Sequence, residues 1–115
     1  MLTYNVDMDQ VTAQSFLRNV NFDAVSMEEK MTFINTIIGF KERDLENLLQ
    51  FVTGSRDLSL LGRSKIRVEV RDQSGVFASS CIFKLVLPKS SFCTIDDLNE
   101  VLFAVSNQSN IFNAL

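Results

Sequence analysis

At Ile66 the spacing of apolar residues changes, and this limits what the chain can fold into more than any other feature. Ahead of it, apolar side chains recur every three or four residues. Val11, Ala13, Phe16, Leu17 and Val20 do so between residues 9 and 20, then Met31, Ile34, Ile37 and Ile38, then Leu45, Leu48, Leu49 and Val52. That is the period of a helix with one face turned inward. From Ile66 onward, Ile66, Val68 and Val70 alternate with Arg67, Glu69 and Arg71, the period of a strand with one dry and one wet face. The order predicts an α+β fold, with helices followed by a small, mainly antiparallel sheet and a C-terminal helix.

Local signals sharpen the boundaries. Ser26-Met27-Glu28-Glu29 fits a capping box, in which the serine oxygen takes one orphan amide and the glutamate reaches back. The helix it opens should stop at Gly39, a residue that tolerates a left-handed cap. A second strong helix is expected from Glu42 to Val52, with Gly54 past its end. Asp72-Gln73-Ser74-Gly75 supplies turn chemistry compatible with several geometries. Val76 to Leu87 then reads as one long strand, with Phe77, Cys81, Phe83, Leu85 and Leu87 on one face, ended by Pro88, which cannot donate to a ladder. Thr94 has the character of an N-cap, with Asp96 and Asp97 favourable in the first turn. The last helix should bury Leu98, Val101, Leu102 and Val105. The polar run Ser106 to Asn110 should end it and leave a short apolar tail.

Absences narrow the function. Among 115 residues there is no histidine, which removes Cys-His and Ser-His-Asp catalysis within the chain and any His-ligated metal site. Two cysteines without a C-x-x-C cannot make a four-ligand zinc site, and no glycine-rich phosphate cradle occurs. No metal or cofactor is therefore expected. A net charge of −3 argues against nucleic acid as the partner. No apolar run reaches membrane-span length, and the start lacks a signal-peptide pattern. With only two cysteines, a reducing compartment is expected, cytoplasmic or nuclear.

One residue stands out chemically. Cys93 lies between the end of a strand and the start of a helix, where backbone amides and the helix dipole favour negative charge. Cys81, by contrast, reads as inert core packing in mid-strand. Without imidazole, amide hydrolysis lacks a base and a leaving-group acid. Thiol exchange with a thioester needs much less, because the energy is stored in the acyl donor. On local context alone, Cys93 fits either a buried thiol or a nucleophile of that kind.

Several stretches together resemble the C-terminal lobe of HECT-type ubiquitin ligases. Leu48-Leu49-Gln50-Phe51-Val52-Thr53-Gly54-Ser55 is similar to the family's L-x-F-V-T-G-S signature. Leu87-Pro88-Lys89-Ser90-Ser91-Phe92-Cys93 is similar to its L-P-x-[AS]-x-T-C motif. Phe112 stands at the family's offset for a phenylalanine near the C-terminus, and order and spacing agree from about residue 30 onward. The short, divergent form is closest in character to G2/M-phase-specific ligase-like members.

The resemblance implies that residues 26–115 form the lobe, while residues 1–25 approach from a larger N-terminal lobe. By resemblance, Cys93 takes ubiquitin as a thioester from an E2 ubiquitin-conjugating enzyme held by that N-terminal lobe. It then passes ubiquitin to a lysine of a protein substrate, with Phe112 helping the second transfer. Phe92 replaces the family's threonine, Ser91 stands where many members have histidine, and only Thr94-Ile95 separate Cys93 from the last helix. These departures bear on the rate of chemistry more than on the fold. A second reading is a catalytically impaired HECT-like module that binds ubiquitin or regulates a partner. For Phe112 alone, the alternative is a tail aromatic that simply docks on the core.

Overall fold

Every helix expected from the three-to-four period is present, each opened by a capping arrangement. The computed structural model describes residues 11–61 and 64–114, together with the side chains of these residues except Leu60 and residues 107–114. The first eight residues, whose weak periodicity predicts an extended or loose segment, lie outside them. Helix α1 (Ala13–Arg18) is capped by Thr12, whose hydroxyl accepts from the Ser15 amide at 3.1 Å. The two-residue strand β1 (Val20–Asn21) follows. Helix α2 (Met27–Ile38) carries the full capping box: Ser26 Oγ accepts from the Glu29 amide at 3.1 Å and Glu29 Oε1 from the Ser26 amide at 2.9 Å.

Helix α2 buries Ile37 as expected, but the buried face is rotated away from Met31 and Ile38 toward Phe33. Phe33, Thr36 and Ile37 are buried, while Met27, Met31 and Ile38 are exposed. The helix carries apolar residues on two faces, and the bulkier one wins, Phe33 stacking edge-on against Phe22 at 5.7 Å. The expected left-handed stop at Gly39 is also absent. Its φ of −82° is right-handed, and the turn closes by i→i+3 bonds from Gly39 and Phe40.

Helix α3 (Glu42–Thr53) buries Leu45, Leu48, Leu49 and Val52 as expected, and ends on a left-handed Gly54 with φ 84°. Here the Thr-Gly-Ser stretch has a clear local job. The Thr53 hydroxyl donates to the Leu49 carbonyl at 2.8 Å and accepts from the Ser55 amide at 3.1 Å, while the Gly54 amide donates to Gln50. A 3-10 turn (Leu58–Leu61) leads toward the sheet.

The sheet departs from expectation in two ways. The run Val76–Leu87 is not one strand: β3 (Phe77–Ser79) and β4 (Lys84–Pro88) are antiparallel neighbours joined by a turn in which Phe83 takes φ 52°. Cys81 lies in that turn and is exposed, so it is no core residue. Nor is the sheet mainly antiparallel. Its order is β1-β2-β4-β3, with β2 (Ile66–Arg71) parallel to both β1 and β4. The reason lies in β4 itself. Leu85, Val86 and Leu87 are all buried, a continuous apolar run rather than an alternating one, and such a strand belongs in the middle of a sheet. The turn after β2 therefore carries the chain past the place that β4 fills.

Helix α4 (Ile95–Ala114) packs on α2 and α3 through Leu98, Leu102 and Val105. It continues through the polar run that was expected to end it. Asn, Gln and Ser cost a helix only a few tenths of a kcal/mol each relative to Ala, and no Gly or Pro enforces a stop. Among the described residues no helix is long and apolar enough to cross a membrane.

The outer face of β2 is not simply wet. Glu69 is 9% exposed and accepts from Arg71 at 2.7 Å, Arg67 at 2.9 Å and Lys84 at 3.2 Å. Burial works to raise its pKa, but the hydrogen bonds from Lys84, Arg71 and Arg67 together outweigh it and hold the carboxyl below the usual glutamate range.

Three substitutions test this architecture. Gly54→Ala should cost about 1 kcal/mol in urea denaturation, because its left-handed φ strains any Cβ although nothing lies within 4 Å of one. Gly39→Ala should be neutral or stabilising by about 0.5 kcal/mol, since its backbone is right-handed and the nearest atom lies at 3.6 Å. Because the folded pKa of Glu69 lies below the unfolded one, its contribution is complete above the unfolded value and is lost as pH falls through the folded one. Glu69→Gln should thus lower stability at neutral pH by about 1 kcal/mol, the arginines being open to solvent screening. It should also flatten the loss on acidification, read from urea melts between neutral and acid pH.

Candidate functional site

Pro88 ends β4 because a proline nitrogen cannot extend the ladder, and the chain turns at once into a 3-10 segment (Lys89–Phe92). Two anchors hold this segment. Ser91 is buried and donates from Oγ to the Pro88 carbonyl at 2.6 Å, and Phe92 packs partly buried against the core. Cys93 follows with helical backbone angles (φ −66°, ψ −40°) and an exposed side chain. Thr94 then caps α4, its Oγ1 accepting from the Asp97 amide at 3.0 Å. The thiol is therefore held on a short piece of chain between a turn anchored by the buried Ser91 and a capped helix.

Cys93 lines an open cleft of about 590 Å³, whose walls come from three distant parts of the sequence. Glu28, Glu29 and Thr32 enter from the first turns of α2, Asp72 from the turn after β2, and Lys89 from the segment after β4. Three carboxylates against one lysine make the cleft acidic, although the Glu29 carboxylate is already engaged by the Ser26 amide. Among the described residues, no group of three potential ligands is placed to hold a metal ion. The cleft suits a cationic or polar visitor beside an accessible sulfur.

The two residues singled out in the sequence are not brought together. Phe112 lies in the last turns of α4, about 25 Å along the axis from the Cys93 end at 1.5 Å per residue. Its side chain lies outside the described residues. The acidic wall was invisible in the sequence: the capping box marks where α2 starts, but nothing local reveals that this end meets Cys93. No family model matches the chain, and no curated protein is significantly similar to it.

With both cysteines exposed, simple alkylation does not separate them. Ellman's reagent should titrate Cys81 and Cys93 alike in the native chain, with no further thiol appearing in denaturant. Ser91→Ala should lower stability by about 1 kcal/mol, the usual contribution of a hydrogen bond made in a buried site, as read by urea denaturation.

Proposed function

We propose that this chain is the ubiquitin-accepting C-terminal lobe of a HECT-type ubiquitin-protein ligase, with Cys93 as its nucleophile. The observation that carries the reading is the placing of Cys93, an exposed thiol on an open cleft, one 3-10 turn after a central strand and one capping residue before a helix. The Leu87–Cys93 stretch that resembles the family's cysteine motif forms this junction. In the proposed reaction the Cys93 thiolate attacks the carbonyl carbon of the thioester joining ubiquitin to the E2 enzyme. The old carbon–sulfur bond breaks and the E2 thiolate leaves. A substrate lysine then attacks the new thioester, an isopeptide bond forms, and Cys93 leaves as thiolate. The amine's proton goes to water or to a carboxylate of the cleft. Thioester exchange asks for no imidazole, which agrees with a chain that has none. Glu28 and Asp72 on the cleft wall would attract the ammonium of an approaching lysine.

Phe112, far along α4, would act on ubiquitin or on an N-terminal lobe rather than on Cys93. The E2 enzyme would dock on that lobe. The second reading, a lobe that binds ubiquitin without turning over, draws on one observation: Thr94 caps α4 immediately after Cys93, so little chain is left to adjust the thiol.

The deciding experiment is a ubiquitin probe with a thiol-trapping C-terminal electrophile, its adduct located by mass spectrometry. Labelling at Cys93 that survives Cys81→Ser and is abolished by Cys93→Ser is the expected result. Ubiquitin binding with no adduct at Cys93 would favour the impaired module, and neither binding nor adduct would remove both readings. In a full ligase built by joining this lobe to an intact N-terminal lobe, Phe112→Ala should leave the Cys93 thioester forming. Its discharge to lysine should slow about tenfold, or about 1.4 kcal/mol of transition-state stabilisation, in single-turnover assays.

A further inference from the structure

The charge of the chain is unevenly distributed. Between residues 64 and 89, five Lys and Arg stand against two acidic residues, a local balance of +3, which leaves −6 for the remainder of a chain whose net charge is −3. The sheet register concentrates this excess. Side chains at paired positions of neighbouring strands share a face. Arg67 pairs with Lys84, Glu69 with Val86, and Phe77 also with Val86, so Arg67, Glu69, Arg71, Lys84 and Phe77 belong to one face. It is the face opposite Ile66, Val68, Leu85 and Leu87, which enter the core.

Glu69 balances one of the three cations, and the face keeps a charge of +2. Its role is to position them. Arg67 engages it through Nε and Arg71 through one terminal nitrogen, so each guanidinium retains further N–H donors. These arginine side chains are 53% and 58% exposed, yet each is already tethered to Glu69. Much of the side-chain entropy that a free arginine loses on binding has thus been lost on folding. Phe77, 60% exposed on the edge strand β3, adds an aromatic surface beside them.

We infer that this sheet face is a docking surface for an acidic, extended protein segment that also carries an apolar residue. Its carboxylates would sit on the Arg67 and Arg71 forks, with Lys84 adding positive field, and its apolar side chain would lie on Phe77. Arginine forks match carboxylates two bonds at a time, which gives such a small patch direction as well as attraction. A nucleic acid fits less well. Its affinity rests on many neutralised phosphates, and the −6 of the remaining chain repels a polyanion that extends beyond the patch. The inference does not depend on the chemistry of Cys93, which belongs to a separate cleft.

Fluorescence anisotropy on the whole chain tests it, with a short fluorescein-labelled peptide rich in glutamate and bearing one central leucine. The companion probes are the same peptide with lysine for glutamate and a labelled oligothymidine. Saturable binding of the glutamate peptide is expected, weakened about tenfold or more by Arg67→Ala with Arg71→Ala and about threefold by Phe77→Ser, and weakened by added salt. The lysine peptide should not bind. Arg71→Glu serves as a second variant if loss of both arginines disturbs Glu69, with thermal melts by circular dichroism checking each fold. Failure of the native chain to bind the glutamate peptide would overturn the proposal, as would binding that the arginine variants retain. Tighter binding of oligothymidine than of peptide would overturn it in favour of a nucleic-acid surface.

Discussion

The placing of β4 between β2 and β3 is the constraint on which most of the structure depends. Leu85, Val86 and Leu87 are all buried, so the strand needs cover on both faces and a hydrogen-bonding partner at each edge. Meeting that need makes β2 and β4 parallel and sends the chain from β2 past β4 into the edge strand β3. It also fixes where β4 ends. Pro88 closes the ladder at Arg71, and the 3-10 turn, Cys93 and the start of α4 follow without slack. The position of the thiol is thus a consequence of how a core strand is buried.

The same strand order separates the protein's charges. With β4 beside β2, Lys84 comes next to Arg67, and Glu69 is left to hold three cations rather than to point into water. Carboxylates collect instead around the Cys93 cleft, from α2 and from the turn after β2. An acidic cleft with a thiol and a basic sheet face with an aromatic edge are different surfaces with different chemistry. Each arises from residues that lie far apart in the chain.

The functional reading rests on what a lone thiol can do without imidazole. Direct hydrolysis of an amide is beyond it, but exchange with an activated acyl group is not. The turn that presents Cys93 is anchored by Ser91 and Phe92 on one side and by the Thr94 cap on the other. A nucleophile held this way gains orientation at the expense of reach. An acyl donor must therefore be brought to it rather than reached for.

What the sequence determined by itself was local. Ser26 with Glu29, Thr94 with Asp97, and Thr53-Gly54-Ser55 each act within four residues, so the starts of α2 and α4 and the end of α3 were legible, as was the helix-to-strand change at Ile66. The α+β class followed from that change. The tertiary structure decided matters wherever one pattern allowed two outcomes. Helix α2 has two apolar faces, and only packing selected Phe33 and Ile37 over Met31 and Ile38. The run Val76–Leu87 could stay extended or fold back, and burial of Leu85–Leu87 favoured the hairpin that exposes Cys81. Helix α4 could end at its polar run, but weak propensities do not stop a helix that lacks a glycine or proline. The walls of the Cys93 cleft and the cluster around Glu69 had no local signal at all. Long-range contacts are set by which faces must leave water together, and no short window of sequence contains that information.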